Sequence, residues 1–116
     1  MRTVLRWSAV LLPSFLGAAV AGGPARAEDK TVIELALKDH RFSIEEIRVP
    51  AGRPVYLRVT NQDATADEFE MRQLAIERVV AGGATVEIRL RPMGPGKYGF
   101  IGDFHEDTAH GEIIVE

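Results

Sequence analysis

The stretch Tyr98–Val115, YGFIGDFHEDTAHGEIIV, sets the terms for the whole chain. An aromatic strand over Lys97–Ile101 runs into a loop, and after Gly111 the loop gives way to a second strand, Glu112–Val115. Between the two stand His105, Glu106, Asp107 and His110, more ionisable side chains than a plain connection needs. Two readings are open at this point: a metal site built on a strand–loop–strand unit, or a polar loop.

Working outward, the rest of the chain has the same texture. Val55–Thr60, VYLRVT, alternates Val55, Leu57 and Val59 against Tyr56, Arg58 and Thr60, and a period of two marks a half-buried strand. Ala84–Leu90 alternates likewise, with Val86, Ile88 and Leu90 on one side. Thr31–Leu37 is apolar and β-branched, and Glu46–Val49 is a short extended piece stopped by the turn residues Pro50-Ala51-Gly52. Glu68–Met71 is short and extended. Gln73–Val80 is ambiguous, with a strand at its end. Asp39-His40-Arg41-Phe42, Asn61-Gln62-Asp63-Ala64, Ala81-Gly82-Gly83 and Pro92–Gly96 are connections. About seven or eight short strands at near-regular spacing, with no long amphipathic helix, predict an all-β antiparallel sandwich. Phe69, Phe100 and Phe104 are assigned to its core.

The first 27 residues have another character. Arg2 and Arg6 precede an apolar run from Trp7 to about Val20, and Ala25-Arg26-Ala27 supplies small residues before Glu28. This layout predicts a secretory signal peptide over 1–27, cleaved after Ala27, and a single domain over 28–116. The short run, broken by Pro13, argues against a membrane anchor. Positions 1–27 carry three arginines and no acid, so the remainder has a net charge of −6 against −3 for the whole chain. An acidic domain is a poor nucleic-acid partner. Although export permits disulfides, the chain has no cysteine, which removes disulfides, thiolate nucleophiles and thiolate ligands together. Neither phosphate-binding glycine motifs nor a G-x-S-x-G elbow is present, so nucleotide and hydrolytic chemistry lack support.

The ionisable residues gather in two places. In Asp67-Glu68-Phe69-Glu70-Met71, strand parity puts Glu68 and Glu70 on one face and Asp67, Phe69 and Met71 on the other. Two neighbouring carboxylates raise the cost of ionising one another, which a cation between them relieves. The second cluster is His105-Glu106-Asp107 with His110. Imidazole suits copper, iron, nickel and zinc, and carboxylates suit harder ions.

Taken together, the order of these features resembles the cupredoxin fold, a Greek-key β-sandwich. There is a strand, a V-P-A-G turn, a strand ending in Asn61, a ligand-bearing segment, and a final Y-x-F…H…G…V unit. The resemblance implies that Asp67 or Glu68 stands where a blue-copper protein has its first histidine ligand. Gly102 stands at its cysteine, His105 at its second histidine, and Ala109 or His110 near its methionine. The chain is more similar still to the cysteine-free, EfeO-type cupredoxin-like family that accompanies bacterial iron permeases. HRF at 40–42, VPAG at 49–52, NQDATADEFE at 61–70, ERVVAGG at 77–83 and PGKYGFIGDFHEDTAHG at 95–111 carry that resemblance. Ala66 replaces a frequent proline, and Met71-Arg72 stand where a histidine is frequent.

The family implies periplasmic binding of a copper or iron ion at a non-blue site without cysteine. It also implies a role in ferrous iron uptake, by assisting iron oxidation or delivery to an inner-membrane permease and other periplasmic components. The expected metal ligands are His105, Glu68, Glu70, Asp67 and Glu106. His40 is at most peripheral, and Met71 is a core residue before it is a soft ligand. Two alternatives stand beside this: a ferroxidase with its own turnover, and a metal-free immunoglobulin-like interaction module.

Overall fold

A computed structural model describes residues 30–116; the expected signal peptide over 1–27 lies outside the described residues. Nine strands follow in chain order: β1 (Thr31–Lys38), β2 (Arg41–Phe42), β3 (Glu46–Val49), β4 (Val55–Asn61), β5 (Asp67–Met71), β6 (Ile76–Val80), β7 (Thr85–Leu90), β8 (Gly96–Gly102) and β9 (His110–Val115). Two single-turn 3-10 helices, Arg72–Leu74 and Asp103–His105, are the helices among the described residues. The strands form a four-stranded sheet, β2-β1-β4-β7, and a five-stranded sheet, β3-β9-β8-β5-β6.

The all-β sandwich is as the alternation predicts, with two corrections. First, the sheets are mixed rather than antiparallel: β1 runs parallel to β4 and β3 parallel to β9. Alternation fixes which face a residue takes, but it is blind to which strand lies next door. Second, Asp39–Phe42 is more than a connection. Asp39 and His40 form a two-residue hairpin turn with φ of 53° and 58°, and Arg41–Phe42 pairs back onto β1. Two consecutive positive φ values are what a tight turn between right-twisted strands requires.

The core is the layer between the sheets. Leu35, Leu57, Val59, Ile88 and Leu90 of one sheet face Ile47, Phe69, Met71, Phe100, Ile113 and Val115 of the other, all buried. Phe42 meets Phe100 edge-on at 5.0 Å between ring centroids, and Phe69 stacks on Phe100 at 5.7 Å. Phe104 departs from the expectation: it is 54% exposed, because the turn that carries it leaves the sheet.

One buried polar residue shapes the approach to β5. Asn61, wholly buried, donates to the carbonyls of Thr65 (2.8 Å) and Val80 (3.1 Å) and accepts the N–H of Asp63 (3.0 Å). A buried amide with its bonds made is a rigid tie, whereas one left unmade costs about 1–3 kcal/mol. The 62–66 loop is thereby fixed, and it delivers Asp63 and Asp67 to the same end of the sandwich.

Candidate metal centre

Strand β5 alternates buried and half-buried positions, so Asp67, Phe69 and Met71 point into the sandwich and Glu68 and Glu70 point out. The three expected ligands on this strand therefore divide between its faces, Asp67 inward and Glu68 and Glu70 outward.

On the inner face, Asp67 is 2% exposed and fully engaged. One carboxylate oxygen, Oδ1, accepts the N–H of Glu68 (2.7 Å) and of Phe104 (3.0 Å); the other, Oδ2, lies 2.9 Å from His105 Nδ1. With the carboxylate accepting, Nδ1 carries the proton and Nε2 is the open ring nitrogen. The His105 ring stacks on His40, centroids 3.6 Å apart and planes 13° from parallel. His40 is held from below by Asp63, whose carboxylate accepts the N–H groups of Asp39 (2.7 Å) and His40 (3.0 Å). The His40 N–H, more than the Asp39 N–H and the nearby imidazoles, holds the Asp63 carboxyl below the usual carboxylate range, against the opposing effect of burial.

Gly102 and Ala109 complete this inner cluster. The Gly102 N–H donates to the Ala109 carbonyl (2.9 Å), and the Ala109 N–H to the His105 carbonyl (2.7 Å). A Cβ placed on Gly102 would stand 2.7 Å from Asp67 Oδ2 and 2.9 Å from the Ala109 Cβ. Positions 67, 102, 105 and 109 thus converge on one point, and a carboxylate oxygen already occupies it. A thiolate-ligated copper ion does not fit this chain. It has no cysteine, position 102 has no room for a side chain, and the His105 Nδ1 is committed to Asp67.

The outer face gathers a different set. Glu68, Glu70 and Asp103 present carboxylate oxygens that all lie within 4.8 Å of one another. The register explains Asp103: Phe69 pairs with Gly102 and Glu70 with Ile101, so the next residue of the β8 end falls beside Glu68. Glu77 stands across from Glu70 on β6. Desolvation first, and then the charges of Glu77, Asp103 and Glu70, push the Glu68 carboxyl up. Glu70 is also pushed up by desolvation, with Arg72 opposing and Asp103 and Glu77 adding. Arg72 bridges this cluster, at 3.6 Å from Glu70, 3.5 Å from Asp103 and 3.3 Å from Glu106. Glu106 is thus a partner of Arg72 at the rim, and His110 is exposed at the start of β9.

Sequence reasoning missed Asp103, Arg72 and Asp63, and it named His40 only as a peripheral ligand. Asp103 was masked by its place beside a glycine at a strand end, and only the β5–β8 register brings it in. Arg72 stands just past the acidic strand, two residues beyond Glu70, and its other partners Asp103 and Glu106 are far away in sequence. The His40–Asp63 clamp joins residues far apart in sequence, and nothing local signals it.

Known proteins share this architecture. The cupredoxin-like domain family matches residues 9–115. An uncharacterized protein of Rickettsia prowazekii (strain Madrid E) is 38% identical over 96 residues, 82% of this chain and 77% of its own length. Auracyanin A, a "blue" copper protein from Chloroflexus aurantiacus, superposes with a TM-score of 0.65 at 18% identity, over 75% of this chain and 99% of its own. Amicyanin from Paracoccus versutus does so with a TM-score of 0.59 at 14% identity, over 73% and 81%. Identities this low speak for the fold alone.

Proposed function

Since this chain belongs to the cupredoxin-like domain family, we propose that it is an exported, periplasmic cation-binding member whose cargo is a hard ion, iron or Cu(II). The ion is held by the outward carboxylates Glu68, Glu70 and Asp103 and not at the inner, thiolate position of the fold. The protein serves ferrous iron uptake, handing iron to an inner-membrane permease or assisting its oxidation on the way.

The observation that carries this reading is the convergence of three carboxylates, two of them with raised proton affinity. Oxygen donors that repel each other when ionised gain most from a shared cation. Carboxylates favour the harder, more oxidised ion, so iron held here is stabilised as Fe(III). The electron released on oxidation needs an acceptor, which a protein partner would supply. The EfeO-type elements ADEFE and FHED support the iron assignment. Signal-like positions 1–27 support export.

Titration of the purified protein with Cu(II) and with chelated Fe(III) tests the reading. Binding tighter than micromolar is expected, with at least a tenfold loss in Glu68→Gln/Glu70→Gln. Binding that is weaker, or indifferent to that double substitution, would overturn it. Aerobic Fe(II) consumption at substoichiometric protein separates carrier from ferroxidase: a carrier stops near one equivalent per site.

A further inference from the structure

The inner cluster poses its own question, because a carboxylate of the chain itself fills the point on which positions 102, 105 and 109 converge. Asp67 Oδ2 sits at hydrogen-bond distance from His105 Nδ1 (2.9 Å) and fills the space a side chain at position 102 would need. Its Oδ1 ties the N–H of Phe104, in the turn after β8, to that of Glu68 in β5. A bound ion in this place would do the same two things: occupy the imidazole Nδ1 and join the strand to the loop.

We propose that Asp67 is the internal replacement for that ion. Its carboxylate closes the inner seat to soft cations and locks the Asp103–His105 turn in the ion's stead, so cations are confined to the outer carboxylates. The last clause rests on the reading of the outer site given above; the first two do not. The competing reading makes Asp67 and His105 themselves ligands. It has few free donors, since Oδ1 accepts two backbone N–H groups and Oδ2 faces Nδ1, which leaves the His105 Nε2 as the open one. Among the described residues, the group of three donors close enough to share an ion is the outer one, which does not include His105.

Two experiments decide it. In the unaltered protein, stripped of metal by a chelator, the amide protons of Phe104 and Glu68 are expected already to exchange slowly. Protection that appears only with metal would overturn the proposal. The second experiment uses Co(II), which does not oxidise thiols and gives an intense near-ultraviolet charge-transfer band when a thiolate binds it. Gly102→Cys/Ala109→Gly, in which the Ala109 Cβ no longer crowds position 102, is expected to show no such band, because Asp67 still fills the seat. Adding Asp67→Ala is expected to produce it, with His105 Nδ1 now free. Equal bands in both variants, or none in a folded variant carrying all three substitutions, would sink the idea. Neither experiment depends on the outer carboxylates, so failure of the outer site would show separately, in the Glu68→Gln/Glu70→Gln titration.

Discussion

Asp63 and Asp67 are the two residues whose side chains do most to set the inner cluster, and they are expected to fail in different ways. Asp63 is held below the usual carboxylate range chiefly by the His40 N–H it accepts. A depressed folded pKa means a stabilisation present above the unfolded value, about 3.9, and lost as pH falls through the lower folded value. Asp63→Asn should therefore melt below the wild type at neutral pH, with the gap closing below about pH 4. Melting curves from pH 2 to 7 check this, and a gap independent of pH would contradict it. Asp67→Ala strands two backbone N–H groups and the His105 ring, a loss of about 3 kcal/mol by denaturant unfolding. Asp67→Asn keeps an oxygen for the two N–H groups and should lose less than half of that.

At the scale of elements, β5 is where reading and structure meet most closely. Its parity is legible in DEFEM itself: Asp67, Phe69 and Met71 inward, Glu68 and Glu70 outward. The resemblance leaves the place of a first histidine ligand open between Asp67 and Glu68, and parity alone does not choose; in the structure Asp67 is the one that faces the inner cluster. What parity leaves out is register. Asp103 reaches the glutamates because β8 pairs with β5 through Phe69–Gly102, and no pattern within either strand encodes that. The parallel pairs are hidden for the same reason, and so is Phe104, whose exposure follows from a turn and not from its hydrophobicity.

Two predictions belong at this scale. Raised carboxyl groups such as Glu68 and Glu70 allow a stability that is complete below the unfolded value, about 4.3, and is lost as pH rises through the folded one. Glu68→Gln/Glu70→Gln should thus raise the melting temperature at pH 7 and leave it unchanged near pH 4, while abolishing ion binding. A melting temperature that falls at pH 7 would show that the cluster does not strain the fold. Gly82 lies in the β6–β7 turn with its would-be Cβ inside the Ala64 carbonyl, and backbone cannot give way as a flexible side chain can. Gly82→Ala should destabilise by about 2–4 kcal/mol, by displacing the 62–66 loop that Asn61 fixes.

For the molecule as a whole, β5 divides two clusters between its faces. The inner face joins the sheets and holds the loop, with Asp67 as the tie. The outer face carries charge in excess, only partly balanced by Arg72. On the proposed reading, a fold tied without an ion stays folded when the ion is released, which suits a carrier. If the ion is no part of the frame, as proposed, its effect on stability is that of a ligand obeying mass action. At a free concentration one hundred times its dissociation constant, the gain is about 2.7 kcal/mol. For a domain of this size the melting temperature should rise on the order of 10 °C. Thermal unfolding followed by circular dichroism, with buffered Cu(II) or chelated Fe(III), measures it. The rise should vanish in Glu68→Gln/Glu70→Gln, yet the ion-free wild type should already melt in one cooperative step. Were the ion-free protein instead to unfold in two stages, with the second restored by metal, the ion would belong to the frame and the separation of tasks would be wrong.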